Sequence, residues 1–244
     1  MRLLLLGGTH EASELARRLA GRADIEATLS LAGRTSRPAR SPLTTRVGGF
    51  GGVEGLTRYL RENHVEALID ATHPFAAQMS AHAVAAAEAA GVPLAVLTRP
   101  QWAPEAGDDW REVGSAEEAA RALGEAPRRV FLTVGRQQAG AFRAAPQHHY
   151  VLRSIDAPED PPPSVELVLA RPPFSLEDEL ELMTSRRIDM LVSKNSGGEA
   201  TQAKLEAARR LKLPVVMIRR PPLAAQTVLY GVEDALGWIH GVAS

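Results

Sequence analysis

Arg2-Leu3-Leu4-Leu5-Leu6-Gly7-Gly8-Thr9-His10-Glu11-Ala12 decides the fold class. A continuous apolar run with no polar alternation fits a strand buried on both faces, as in a parallel sheet. The glycine pair turns it into a helix whose apolar positions Ala12, Leu15, Ala16 and Leu19 recur at helical spacing. The same alternation continues outward from this unit. Strands are expected at 27–31, 67–70 and 94–97, and helices at 55–63 and 76–90, the last stopped by Gly91 with Pro93 beyond it. After a proline- and glycine-marked stretch at 99–108, the pattern restarts. Ser115 caps a helix to residue 123, with Glu118 completing a capping box. Strands follow at 130–134, 150–153, 166–170, 190–193 and 215–218, helices at 175–186 and 199–210, and a closing helix at 233–240. Such alternation places the chain in the α/β class. The expected architecture is two Rossmann-like domains, 1–98 and 99–244, each a mostly parallel sheet flanked by helices, facing across a cleft.

Composition narrows the function. The 244 residues carry a formal net charge of −1 and no cysteine. That excludes disulfides, thiolate nucleophiles, iron–sulfur clusters and cysteine-based zinc sites. The sequence places no metal site. A near-neutral balance argues against nucleic-acid binding. No apolar run approaches the roughly 18 residues of a membrane helix, and the N-terminal run is too short for a signal peptide. A soluble cytoplasmic protein is expected. Among the 28 basic residues only Lys194, Lys204 and Lys212 are lysine, and the rest are arginine. An arginine- and alanine-rich genome explains the bias as a whole. Arginines at strand ends have a more specific use, because the guanidinium holds carboxylates and phosphates in a bidentate fork.

The first half carries the features of a dinucleotide site. Gly7 and Gly8 let backbone amides approach a pyrophosphate at the helix N-terminus, with Thr9 and Glu11 beside it. The third glycine of the full fingerprint is missing, and a strand–glycine–helix turn also serves as a plain connection. Where an NAD site usually places an acid, this chain has Ser30, Gly33, Arg34 and Thr35, which suits the 2′-phosphate of NADPH. A solvated loop arginine is the competing view, and Arg37 and Arg40 could share the role. The cluster Gly48-Gly49-Phe50-Gly51-Gly52 falls where a third strand would end, so Gly49, Phe50 and Gly51 join the cofactor set; a flexible loop is the alternative. Asp70-Ala71-Thr72-His73-Pro74-Phe75 ends another strand at the same edge. Thr72 and Phe75 are placed to pack around a nicotinamide, and His73 to reach substrate, although a lone histidine is more often structural.

In the second half, Arg136, Arg153, Arg171 and Lys194 all stand at expected strand ends. They form a basic wall suited to a substrate with several carboxylates, with Asn195, Ser196, Gly197 and Gly198 extending it. Some of these charges could instead pair with acids such as Asp156 or Glu177. Glycines beside a lysine could also hold a phosphate, which would exchange the roles of the two halves.

Taken together, these blocks resemble the precorrin-6A reductase family of cobalamin biosynthesis over nearly the whole chain. The resemblance rests on Leu5-Leu6-Gly7-Gly8-Thr9 with Glu11, Leu31-Ala32-Gly33-Arg34, Gly48–Gly52, Asp70–Ala76, Arg99-Pro100 with Trp102, and Lys194-Asn195-Ser196-Gly197-Gly198. It implies NADPH-dependent hydride transfer to a corrin-type macrocycle bearing acetate and propionate arms, converting precorrin-6A to precorrin-6B. Positioning two planar partners and excluding water would be the protein's main task. His73 and Asp156 are the candidates for handling the accompanying proton. The resemblance also implies a tetrapyrrole as partner and hand-over contacts with neighbouring enzymes of the pathway. Two alternatives stand beside this one: a cobalt-precorrin-6A reductase of the anaerobic route, and a dinucleotide-binding sensor without chemistry. A sensor would not need the wall or the Lys194–Gly198 block.

Overall fold

The computed structural model describes residues 1–33, 40–223 and 227–243. The chain divides into two units, one made of Met1–Pro100 with Pro221–Ser244, the other of Gln101–Arg220. In the first unit, the elements run β1 (Arg2–Leu6), α1 (His10–Leu19), β2 (Glu26–Leu31), β3 (Thr44–Val47), α2 (Gly52–Glu62), β4 (Ala67–Asp70), α3 (Ala77–Ala90) and β5 (Leu94–Leu97). The second holds β6 (Trp110–Val113), α4 (Ala116–Ala122), β7 (Arg129–Thr133), β8 (His149–Ser154), β9 (Val165–Leu169), α5 (Leu176–Ser185), β10 (Met190–Lys194), α6 (Ala203–Arg210) and β11 (Val215–Ile218). The chain then returns to the first unit with β12 (Val228–Leu229) and α7 (Val232–Ala243).

That return corrects the expected boundary, which gave 99–244 to the second domain. Val228 and Leu229 pair with Val96 and Leu97 of β5. Ala235 and Ile239 of α7 enter the same core as Leu15 and Leu19 of α1. The apolar face of α7 is therefore buried on the first sheet.

Every neighbouring strand pair is parallel. The two sheets run β3-β2-β1-β4-β5-β12 and β9-β8-β7-β10-β11-β6. The first follows the doubly wound order, in which the direction of winding reverses beside the first strand; the second reverses beside β7, with the earlier strand β6 added at the edge against β11. The reversals lie between β1 and β4 and between β7 and β10. Loops at the carboxyl ends of those strands are where open α/β sheets take ligands.

Burial on both faces explains the unbroken leucines of β1. Leu3 and Leu5 pack with α1 and α7, whereas Leu4 and Leu6 pack with Leu56 and Leu60 of α2 and Ala83 and Ala86 of α3. Each such side chain contributes about 1.5–3 kcal/mol relative to exposure. In the second unit Phe131, Val151, Leu191 and Met217 share a core with Met183 of α5 and Leu205 and Ala208 of α6. At α4, Ser115 Oγ accepts from Glu118 N at 3.2 Å, but the Glu118 carboxylate accepts from Gly114 N at 2.7 Å rather than closing the box on Ser115 N. No described helix is long and apolar enough to cross a membrane.

Candidate active site

At the first reversal, the turn after β1 lies hard against β2. Gly7 N donates to Ser30 O at 2.9 Å. A Cβ on Gly7 would stand 2.5 Å from Leu29 Cδ1 and 3.3 Å from Leu31 Cδ2, so no larger residue fits without displacing the strand's core side chains. Thr9 caps α1: its Oγ1 accepts from Ala12 N and donates to Ala71 O at 2.8 Å, tying the turns after β1 and β4 together. Glu11 accepts from Arg99 Nη1 at 2.7 Å. After β4, Asp70 Oδ1 accepts from both Thr72 N and Thr72 Oγ1 at 3.0 and 2.7 Å. His73 Nδ1 accepts from Phe75 N at 3.2 Å, which leaves the proton of the neutral ring on Nε2.

The loop after β3 is built around Arg46, which stands opposite Ser30 in the β2–β3 register. Its Nη1 donates to Ser30 Oγ at 2.7 Å and to Gly48 O at 3.0 Å, and Nη2 donates to Gly49 O at 3.1 Å. The guanidinium carbon sits 3.8 Å from the Phe50 ring centre. Gly51, at φ 82°, leads into α2 without a side-chain cap. Gly55 makes room for the loop: a Cβ there would be 1.6 Å from Phe50 O.

At the second reversal, Lys194 ends β10 half-buried, and its Nζ reaches the turn after β7, 3.8 Å from where a Gly135 Cβ would be. Burial pushes its ammonium down to about 8 from 10.5. Arg136 follows Gly135 directly. Beyond Lys194, Asn195 is buried and grips Trp102: Oδ1 accepts from Trp102 N and Nδ2 donates to Trp102 O, both at 2.9 Å. Ser196 O accepts from Arg220 Nη2 at 2.9 Å. Gly197 and Gly198, at φ 68° and 84°, occupy the left-handed region that glycine adopts without strain. Among the described residues, no group of three His, Asp or Glu is placed to hold a metal ion.

The model for precorrin-6x reductase CbiJ/CobK matches residues 2–240. The chain belongs to the precorrin-6x reductase family. A precorrin-6A reductase from a Sinorhizobium species is 52% identical over 241 residues, covering 98% of this chain and 92% of the relative. The precorrin-6A reductase of Rhodobacter capsulatus is 50% identical, covering 98% and 97%. The solved structure titled CobK precorrin-6A reductase superimposes with a TM-score of 0.93 at 50% identity, covering 99% of this chain and 97% of that one.

Several expected site residues also make internal contacts. Thr9, Thr72 and Glu11 engage Ala71, Asp70 and Arg99. Arg153, expected in the basic wall, is buried and paired with an acid. Its Nη2 donates to Glu179 Oε1 at 2.7 Å, and its guanidinium lies between Phe174 and Phe131, 3.6 and 5.0 Å from their ring centres. Asn195 likewise frames the site through Trp102. Arg171 remains exposed after β9, and Asp156 is half-buried after β8, its carbonyl accepting from Ser154 Oγ. Gly8 and Gly33, at φ 126° and 72°, shape the turns after β1 and β2. Arg34, Thr35 and Arg37 lie outside the described residues. Arg46 was missed because a lone arginine on a short polar strand carries no motif. The glycine pair two residues after it was the available signal.

Proposed function

We propose that the protein reduces precorrin-6A to precorrin-6B with NADPH during assembly of the corrin ring. The observation that carries this reading is the difference between the two winding reversals. One is a glycine turn whose Gly7 packs hard against Leu29 and whose Gly8 is open, the other a half-buried lysine beside a second glycine turn. A pyrophosphate needs backbone amides at close range, whereas carboxylate arms need cations.

When bound, NADPH supplies a hydride, and one proton completes the reduction of the macrocycle. Gly7 and Gly8 give the diphosphate room, while Ser30, Gly33, Gly49, Phe50 and Gly51 line the adenosine side. Thr9 and Thr72 hold the two turns in register, and Phe75 lies beside the nicotinamide. His73 presents Nε2–H toward the reacting face, and Asp156 is the second proton-handling group. In the other unit, Lys194, Arg136 and Arg171 take the carboxylate arms, Ser196, Gly197 and Gly198 offer backbone, and Arg153 and Asn195 hold that frame rigid.

Purified protein given precorrin-6A and NADPH should consume NADPH in step with the precorrin-6B formed. Protein that binds a nicotinamide dinucleotide yet oxidises it with no tetrapyrrole would be a sensor, and the proposal would fall.

A further inference from the structure

We infer that Arg46 makes the first unit select a 2′-phosphorylated adenosine, forming the phosphomonoester subsite of the dinucleotide. This rests on the NADPH reading and names the residue that enforces it.

Ser30 stands at the end of β2, where sites selective for an unphosphorylated ribose usually carry an acid. Here the side chain at that position is a hydroxyl, and its oxygen accepts from Arg46 Nη1 at 2.7 Å. The same residue's backbone oxygen accepts from Gly7 N at 2.9 Å. Arg46 is thus one residue removed from the glycine turn proposed for the diphosphate. Its orientation is fixed on three sides, by Ser30, by the Gly48 and Gly49 carbonyls, and by the Phe50 ring 3.8 Å below.

All of these partners are neutral. Among the described residues, no carboxylate pairs with Arg46. The charge is half-buried, so solvent screens it less than at an open surface. Three of its N–H groups are engaged, which leaves Nε–H and one Nη2–H without a partner among the described residues. Two donors on one guanidinium match two oxygens of a phosphate. A preoriented, uncompensated cation beside the ribose end of β2 gains most from a phosphate dianion and little from a hydroxyl.

The test measures binding of 2′,5′-ADP and of ADP to the full chain, for the wild type, Arg46→Gln and Arg46→Lys. The wild type should hold 2′,5′-ADP at least about tenfold tighter than ADP, the range of a charge-assisted hydrogen bond. R46Q should lose most of that preference while its affinity for ADP stays within about threefold, and R46K should fall between. Should R46Q not fold, R46K carries the measurement. Equal weakening of both nucleotides would make Arg46 a loop fastener and overturn the inference. So would an undiminished preference in the variants. A preference lost in Arg34→Ala but kept in R46Q would give the role to Arg34. A wild type that does not distinguish the two nucleotides would overturn the NADPH reading itself, and the inference with it.

Discussion

Arg153 and Glu179 form an ion pair closed off from water: Nη2 lies 2.7 Å from Oε1, and the two side chains are 7% and 0% exposed. The pair joins β8 to the first turn of α5, and Phe174 stacks on the guanidinium. Arg153→Met would strand a buried carboxylate, which costs about 3–5 kcal/mol. Chemical denaturation should show this loss for R153M. The double variant R153M/E179L should be more stable than R153M, because it strands no charge. A double variant destabilised by the sum of the two single changes would show that the residues are not coupled.

Gly55 is expected to be the least replaceable glycine of the first unit. A Cβ there meets the Phe50 carbonyl at 1.6 Å, a backbone atom that cannot rotate away. Gly55→Ala should displace the Gly48–Gly52 loop, lowering the melting temperature and weakening NADPH at least about tenfold, the penalty of misplacing a binding loop. Gly21→Ala, where a Cβ meets nothing within 4 Å, is the control: its φ of 81° carries only backbone strain. Equal NADPH affinity in G55A and wild type would show that the loop does not serve the cofactor.

Asn195→Asp tests the framing role of a residue expected to touch substrate. The aspartate would keep an acceptor for Trp102 N but set a second oxygen against Trp102 O, where Nδ2 now donates. An unsatisfied buried acceptor costs about 1–3 kcal/mol. The melting temperature should fall even without substrate. An unchanged melting temperature with lost substrate affinity would return Asn195 to direct contact.

The parallel strands buried on both faces were legible because they read as apolar runs: Leu3–Leu6 in β1 and Val130-Phe131-Leu132 in β7. The edges were not. β3 and β6 carry Thr44-Thr45-Arg46 and Arg111-Glu112, half-solvated sequences with no period to read, and β12 is two residues long. The return of the C-terminal segment was hidden for the same reason, since β12 is the only strand among its described residues. The strand-end glycines were readable because glycine is needed wherever the backbone must turn sharply or pack closely, as at Gly7. Which way a charge faces was not. Glu177, Asp178 and Glu179 look alike in sequence, and only Glu179, one helical turn before buried Met183, points inward to Arg153.

Lys194 gives the pH dependence its sign. Its folded value, about 8, lies below the ordinary 10.5. Between these values the unfolded chain holds the extra proton, so this group's contribution to stability rises as pH increases through that window. Carboxylate binding favours the charged ammonium, so substrate should bind more weakly as pH rises past about 8. Calorimetry in buffers of different ionisation heat should show proton uptake on substrate binding just above pH 8, where the free ammonium has lost part of its proton, and Lys194→Met should abolish it. Uptake unchanged in K194M would place the titrating group elsewhere.

The division of labour between the two units is tested most directly by titrating NADPH and precorrin-6A separately into the double variant K194M/R171M. Each lost charge-assisted contact is worth about 1.5–3 kcal/mol, so tetrapyrrole affinity should fall at least about a hundredfold while the Kd for NADPH stays near wild type. If NADPH affinity collapses and the tetrapyrrole still binds, the second unit is the cofactor site and the roles are reversed.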